Sequence, residues 1–120
     1  MTIADRRPRS PRVAGFEPVR RAVVVGAGTM GAGIAAHLAN CGIQVTLLDQ
    51  ACDGADISAL ARAGIERQLA LGGFMTPEFA DRVTPGNVDD DLGAAADADW
   101  VIEAVFEDAA VKHALYRRLD

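Results

Sequence analysis

Gly26-Ala27-Gly28-Thr29-Met30-Gly31 sets three glycines at the spacing G-x-G-x-x-G, and its flanks make that spacing meaningful. Ala22–Val25 is a continuous apolar run rich in β-branched residues, as expected of a strand buried on both faces of a parallel sheet. Beyond the glycines, Met30, Ile34 and Leu38 recur at i, i+4 and i+8, which marks one face of a helix. A strand entering a glycine turn and a helix leaving it is the opening of a βαβ unit. Each glycine has its own physical task there. Gly26 permits the tight turn, Gly28 lets a ligand approach the backbone, and Gly31 lets the helix pack closely on the strand. The helix N-terminus adds free N–H groups and the positive end of a dipole, both favourable to phosphate. The alternative is a turn that serves packing only. No Gly-Lys-Ser/Thr follows the glycines, so the motif of phosphate-binding NTPases is absent.

The rest of the chain alternates in the same way. Gly42 stops the first helix as a C′ glycine. Val45–Leu48 reads as the second strand, closed by Asp49. A polar loop at Gln50–Gly54 leads to a long helix on which Ile57, Leu60, Ala61, Gly64, Ile65 and Leu69 keep the period, with Arg62 and Glu66 paired at i, i+4. Gly72-Gly73 ends it. Thr76-Pro77-Glu78 predicts an N-cap, a proline at N1 and a first-turn acid, opening a short helix to about Arg82. Val83-Thr84 predicts a brief strand before a Pro85-Gly86-Asn87 turn. Asp89–Asp91 is expected to cap an Ala-rich helix, and Trp100–Val105 is the last strong strand. Asp108 then reads as the N-cap of a helix with Val111, Leu115 and Leu119 on its apolar face and Arg117 and Arg118 at its negative end. Strands alternating with helices predict an α/β fold, a Rossmann-type doubly wound parallel sheet with right-handed crossovers.

Asp49 stands eighteen residues past Gly31, at the end of the second strand. A carboxylate there accepts hydrogen bonds from the ribose hydroxyls of a dinucleotide and repels a 2′-phosphate. Gln50 and Ala51 follow it, with no arginine, so the expected cofactor is NAD rather than NADP.

Charge divides the chain unevenly. The net charge is −5, yet residues 1–20 hold five arginines against Asp5 and Glu17. The acidic body argues against nucleic acid as a partner. Prolines at 8, 11 and 18 prevent an amphipathic helix across the basic head, so residues 1–20 are expected to be a disordered extension ahead of a domain at 21–120. No apolar run approaches the roughly 18–20 residues of a membrane span. Cys41 and Cys52 match neither a metal spacing nor a CxxC motif, and read as reduced thiols of a cytoplasmic protein.

Glu107 lies just past a strand's carboxyl end, where open α/β sheets hold ligands; by its own residues it is equally a first-turn helix acid. Lys112 alone reads as a solvated helix lysine. Glu103, inside the strand, is either buried and hydrogen-bonded or turned to an edge. The wording of these segments carries a resemblance. Val23-Val24-Val25 with the glycine turn through Ala35, Val45-Thr46-Leu47-Leu48-Asp49-Gln50, and Ala98-Asp99-Trp100-Val101-Ile102-Glu103-Ala104-Val105-Phe106-Glu107 with Val111-Lys112 and Leu115 resemble the NAD-binding domain of 3-hydroxyacyl-CoA dehydrogenases. Gly64-Ile65-Glu66-Arg67 to Gly73 is similar to that family's helical arm. The likeness spans roughly residues 21 to 120.

The resemblance implies oxidation of the 3-hydroxyl of an acyl-CoA to a ketone, with hydride passing to NAD, in fatty acid metabolism. It implies that Glu107 and Lys112, five residues apart, contact the cofactor beside Gly26, Ala27, Gly28, Thr29, Met30, Gly31, Asp49 and Gln50. It gives the arm a role in holding CoA, with Arg62 and Arg67 as the nearby bases. It places the catalytic histidine and its glutamate partner, a supporting serine and asparagine, and a dimer-forming helical domain beyond Asp120. His37 and His113 read as helix-surface histidines without an acid partner. Oxidising a hydroxyl needs a general base near the oxygen. No catalytic residue is therefore assigned, and these residues are expected to bind rather than turn over alone. The sheet edge after Trp100–Val105 is expected to pair or aggregate, through a complementing chain or a second copy. Two other readings remain open: a stand-alone nucleotide-binding module, and an NAD-dependent dehydrogenase of free 3-hydroxyacids.

Overall fold

The computed structural model describes residues 2–5, 18–104 and 117–119. Among the described residues five strands form one sheet: β1 (Thr2–Asp5), β2 (Arg21–Val25), β3 (Gln44–Asp49), β4 (Val83–Asn87) and β5 (Trp100–Glu103), in the order β1-β5-β2-β3-β4. The strands β5, β2, β3 and β4 run parallel, and β1 runs antiparallel to β5. Strand order turns at β2: the chain first winds outward through β3 and β4, then crosses to β5 on the other side. That reversal opens a crevice at the carboxyl ends of β2 and β5, where open α/β sheets bind ligands.

The parallel strands are buried on both faces, and their apolar runs follow from that. One face packs Ala22, Val24, Val45, Leu47 and Ile102 against α1 (Thr29–Asn40) and α2 (Ala59–Leu71). The other packs Val23, Val25, Leu48 and Val101 against Ala95 and Ala98 around a 3-10 helix at Leu92–Asp97, with Leu119 alongside. The sheet is thus covered on both sides, as the alternation of elements predicts.

Several expectations need correction. Helix α1 buries Gly31, Ala32, Ala35, Ala36, Leu38 and Ala39, while Met30 is 63% exposed. Alanines bring the helix close to the sheet, and Met30, at the first turn, stands beyond the strand ends. The short helices at Pro77–Arg82 and Leu92–Asp97 are 3-10, and neither Thr76 nor Asp91 caps them through its side chain. Asp91 instead accepts from the Asn87 N–H at 3.0 Å. Pro85, Gly86 and Asn87 continue β4 rather than turning. As an edge strand β4 tolerates a residue without an N–H. Glu66 does not pair with Arg62, whose Nε binds Asp56 at 2.7 Å. Arginine preceding an acid is the weaker orientation of an i, i+4 pair on a helix.

The disorder expected of residues 1–20 fails at Thr2–Asp5. Those residues pair with β5 from Thr2↔Glu103 to Asp5↔Trp100. The free edge of β5 offers unmet N–H and C=O groups, and Thr2 and Ile3 are good strand formers. All four β1 residues stay exposed, so backbone bonding rather than burial holds them. The chain's own N-terminal residues therefore meet the edge expected to seek a partner. Val105, Glu107, Asp108, Val111, Lys112, His113 and Leu115 lie outside the described residues, and Arg117–Leu119 are helical.

Candidate functional site

The glycine turn occupies the crevice at the carboxyl end of β2. Gly26 donates to the Leu48 carbonyl at 2.7 Å and takes φ 107°, a conformation that a side chain disfavours. A Cβ on Gly31 would stand 1.6 Å from the Gly26 oxygen and 3.4 Å from the Ala104 Cβ, so only glycine allows α1 to start this close to β2 and β5. At Gly28 the situation reverses. Among the described residues, a Cβ there would meet nothing within 4 Å. Gly26 and Ala27 are buried, whereas Gly28, Thr29 and Met30 are exposed. Gly28 is the N-cap of α1, no side chain caps it, and the first turn holds no acid. The opening N–H groups of the helix and its positive dipole end thus face an open, accessible backbone, which fits the pyrophosphate of a dinucleotide.

Asp49 closes β3 beside this turn. Its Oδ2 accepts from the Ala27 N–H at 2.7 Å and its Oδ1 from the Gln50 N–H at 2.6 Å. A carboxylate has about four acceptor sites, so these two bonds leave capacity for ribose hydroxyls. Sequence reasoning found the acid but missed its second role as a tie between strand end and turn. Gln50 follows, exposed, and no cation stands between it and Ala55 in the chain.

Two residues on α2 also reach the turn. Arg67 donates from Nη2 to the Ala27 carbonyl at 2.8 Å. A Cβ on Gly64 would stand 2.8 Å from that same oxygen. Arg67, one of the two bases on the helix likened to the family's arm, thus meets the glycine turn. Arg62 points elsewhere, to Asp56. One signal for this contact was present: glycine inside a helix costs about 1 kcal/mol against alanine, so Gly64 implied a packing reason.

At the other side of the crevice, the Ala104 N–H donates to the Val25 carbonyl at 2.8 Å. The chain that continues to Glu107 thus leaves β5 beside the turn; Glu107 and Lys112 themselves lie outside the described residues. Glu103 is buried, and its Oε2 has no hydrogen-bond partner among the described residues. His37 is exposed on the last turn of α1. Cys41 and Cys52 are free thiols. Among the described residues no group of three or more His, Cys, Asp or Glu could hold a metal, and no helix is long and apolar enough to cross a membrane. A groove of about 340 Å³ lined by Arg21, Val23, Gln44, Thr46, Thr84 and Asp97 shares no residue with the glycine turn.

The family model of the 3-hydroxyacyl-CoA dehydrogenase NAD binding domain matches residues 21–120. The chain belongs to this family. NAD is accordingly its cofactor. A probable 3-hydroxyacyl-CoA dehydrogenase of Deinococcus radiodurans is 45% identical over 105 residues, covering 85% of this chain and 30% of that protein. The human mitochondrial hydroxyacyl-coenzyme A dehydrogenase is 35% identical over 114 residues, covering 85% of this chain and 35% of that protein. Among solved structures, FadB2 of M. tuberculosis superposes with a TM-score of 0.63 at 36% identity, over 87% of this chain and 37% of that one. The chain thus spans about a third of the length of these relatives.

Proposed function

We propose that these residues are the cofactor-holding part of a 3-hydroxyacyl-CoA dehydrogenase, which oxidises a 3-hydroxyacyl-CoA to the 3-oxoacyl-CoA in fatty acid metabolism. The observation that carries this reading is the open backbone at Gly28, set on an uncapped helix N-terminus beside the Asp49 carboxylate. In this reading Gly26, Ala27, Gly28, Thr29, Met30 and Gly31 cradle the pyrophosphate. Asp49 and Gln50 hold the adenosine ribose, and Asp49 repels a 2′-phosphate. Glu107 and Lys112, carried over by resemblance, contact the cofactor. Bound NAD supplies the hydride acceptor; the chain's own residues bind and orient it.

The general base is a separate matter. His37, the histidine among the described residues, is exposed in the last turn of α1, at the end away from the glycine turn, and by sequence His113 reads as a helix-surface residue. We therefore place catalysis with a further segment or a partner chain, and the acyl-CoA cleft with it. The working setting in this reading is the cytoplasm.

Calorimetric titration tests the proposal. NADH should bind more tightly than NADPH. Asp49→Ala should weaken NADH roughly tenfold to a hundredfold, the value of about 1.5–3 kcal/mol for hydrogen bonds to a charged group. The same samples should leave NADH unoxidised with acetoacetyl-CoA. Folded protein that ignores NADH, or prefers NADPH, refutes the site; turnover by these residues alone refutes the placement of the base.

A further inference from the structure

Helix α2 touches the glycine turn through two residues one helical turn apart, and both contacts converge on one atom. Gly64 leaves a notch: a Cβ there would stand 2.8 Å from the Ala27 carbonyl oxygen and 3.3 Å from the Cβ atoms of Ala27 and Ala32. Arg67 fills the role of a hook, donating from Nη2 to that oxygen at 2.8 Å. The N–H of Ala27 is held as well, by the Asp49 carboxylate at 2.7 Å. Ala27, between the first two glycines, is therefore fixed at both backbone groups by side chains from β3 and α2.

The consequence falls on the next residue. The peptide bonds of the described residues include no cis form. In a planar trans peptide the C=O of one residue and the N–H of the next point in opposite directions. With the Ala27 carbonyl turned to Arg67, the Gly28 N–H points away from α2. Gly28 has no side chain to bias its torsions and a Cβ there would meet nothing within 4 Å among the described residues, so none of them resists a flip of this peptide.

We propose that Arg67 is a positioning residue for pyrophosphate recognition: by holding the Ala27 carbonyl it keeps the Gly28 N–H aimed at the phosphate. The inference rests on the reading of the glycine turn as the NAD site. A guanidinium suits the task because its bond to a carbonyl is charge-assisted and survives at an exposed position better than a neutral bond. The arm helix thereby gains a function toward the cofactor that is independent of any contact with CoA.

The test compares ligands with and without phosphate on the full 120-residue chain. Wild type is titrated with NADH, ADP and adenosine by calorimetry and ligand-observed NMR. Arg67→Met should weaken NADH and ADP roughly tenfold while leaving adenosine within about twofold, the loss of one charge-assisted hydrogen bond felt only at the phosphate. Arg67→Lys should restore most of the affinity, since an ammonium can donate to the same oxygen. Gly64→Ala should reproduce the phosphate-selective loss, because its Cβ presses on the same carbonyl, and it serves where Arg67→Met fails to fold. Unchanged ADP binding in folded Arg67→Met, or in Gly64→Ala where Arg67→Met fails to fold, overturns the proposal, as does an equal loss for ADP and adenosine. Absence of NADH binding by wild type refutes the reading of the site instead.

Discussion

Gly31 is the residue with the least freedom in the turn. A Cβ at 1.6 Å from the Gly26 oxygen cannot be absorbed by a side-chain rotation, because the obstacle is backbone. Gly31→Ala should therefore force α1 away from β2, at a cost of about 1–3 kcal/mol or more by the usual penalty for overpacking. Chemical denaturation should show the lower midpoint, and NADH titration should show lost affinity. A variant of wild-type stability would mean that α1 has slack the structure does not show. The three glycines and Asp49 were legible because their tasks are local: a positive φ, a missing Cβ and a carboxylate at a strand end all follow from residue type and spacing. The contact from Arg67 to Ala27 was not, since forty residues separate them and only the packing of α2 brings them together.

At the scale of elements, α2 begins with its own electrostatic arrangement. Asp56 accepts from Arg62 Nε at 2.7 Å and from the Ser58 N–H at 3.1 Å. The Arg62 hydrogen bond, aided by Ser58, holds the Asp56 carboxyl below the usual carboxylate range. A lowered folded value means that the contribution to stability is present above the unfolded value, near pH 4, and is lost as pH falls through the folded one. Urea midpoints of wild type and Asp56→Asn should therefore differ at neutral pH and converge in acid. The gap should be small, because both side chains are about half exposed and screened by solvent. A gap that widens in acid would reverse the sign. Strand and helix positions were readable from periodicity, and the failures have tertiary causes. Pro85 lies in β4 because an edge strand can spare an N–H, and edge status is a property of the whole sheet. Leu60 and Leu69 keep helical spacing on α2 yet stay exposed, while Ala61, Gly64 and Gln68 are buried, because α2 packs through two small residues and a glutamine side chain set against Gly33 and Gly73.

For the whole molecule, β1 is the element that neither composition nor pattern disclosed. Four residues beside a run of arginine and proline carry too weak a signal, and their place is set by the vacancy at the edge of β5. Removing residues 1–5 should lower the melting temperature only slightly, since no β1 side chain is buried. The bared edge of β5 should instead produce concentration-dependent association in sedimentation velocity. A truncated chain that stays monomeric at high concentration would show that β5 needs no cover.

The direction of β1 has a practical side. Running antiparallel to β5, it sets Thr2 opposite Glu103, and Glu103 lies opposite Val25, the last residue before the glycine turn. Thr2 therefore lies at the end of the sheet that holds the crevice, two strand spacings or about 10 Å from Val25. A fluorophore attached at position 2 becomes a local reporter of nucleotide arrival. A bulkier group attached at position 2 should instead obstruct what the fluorophore would detect.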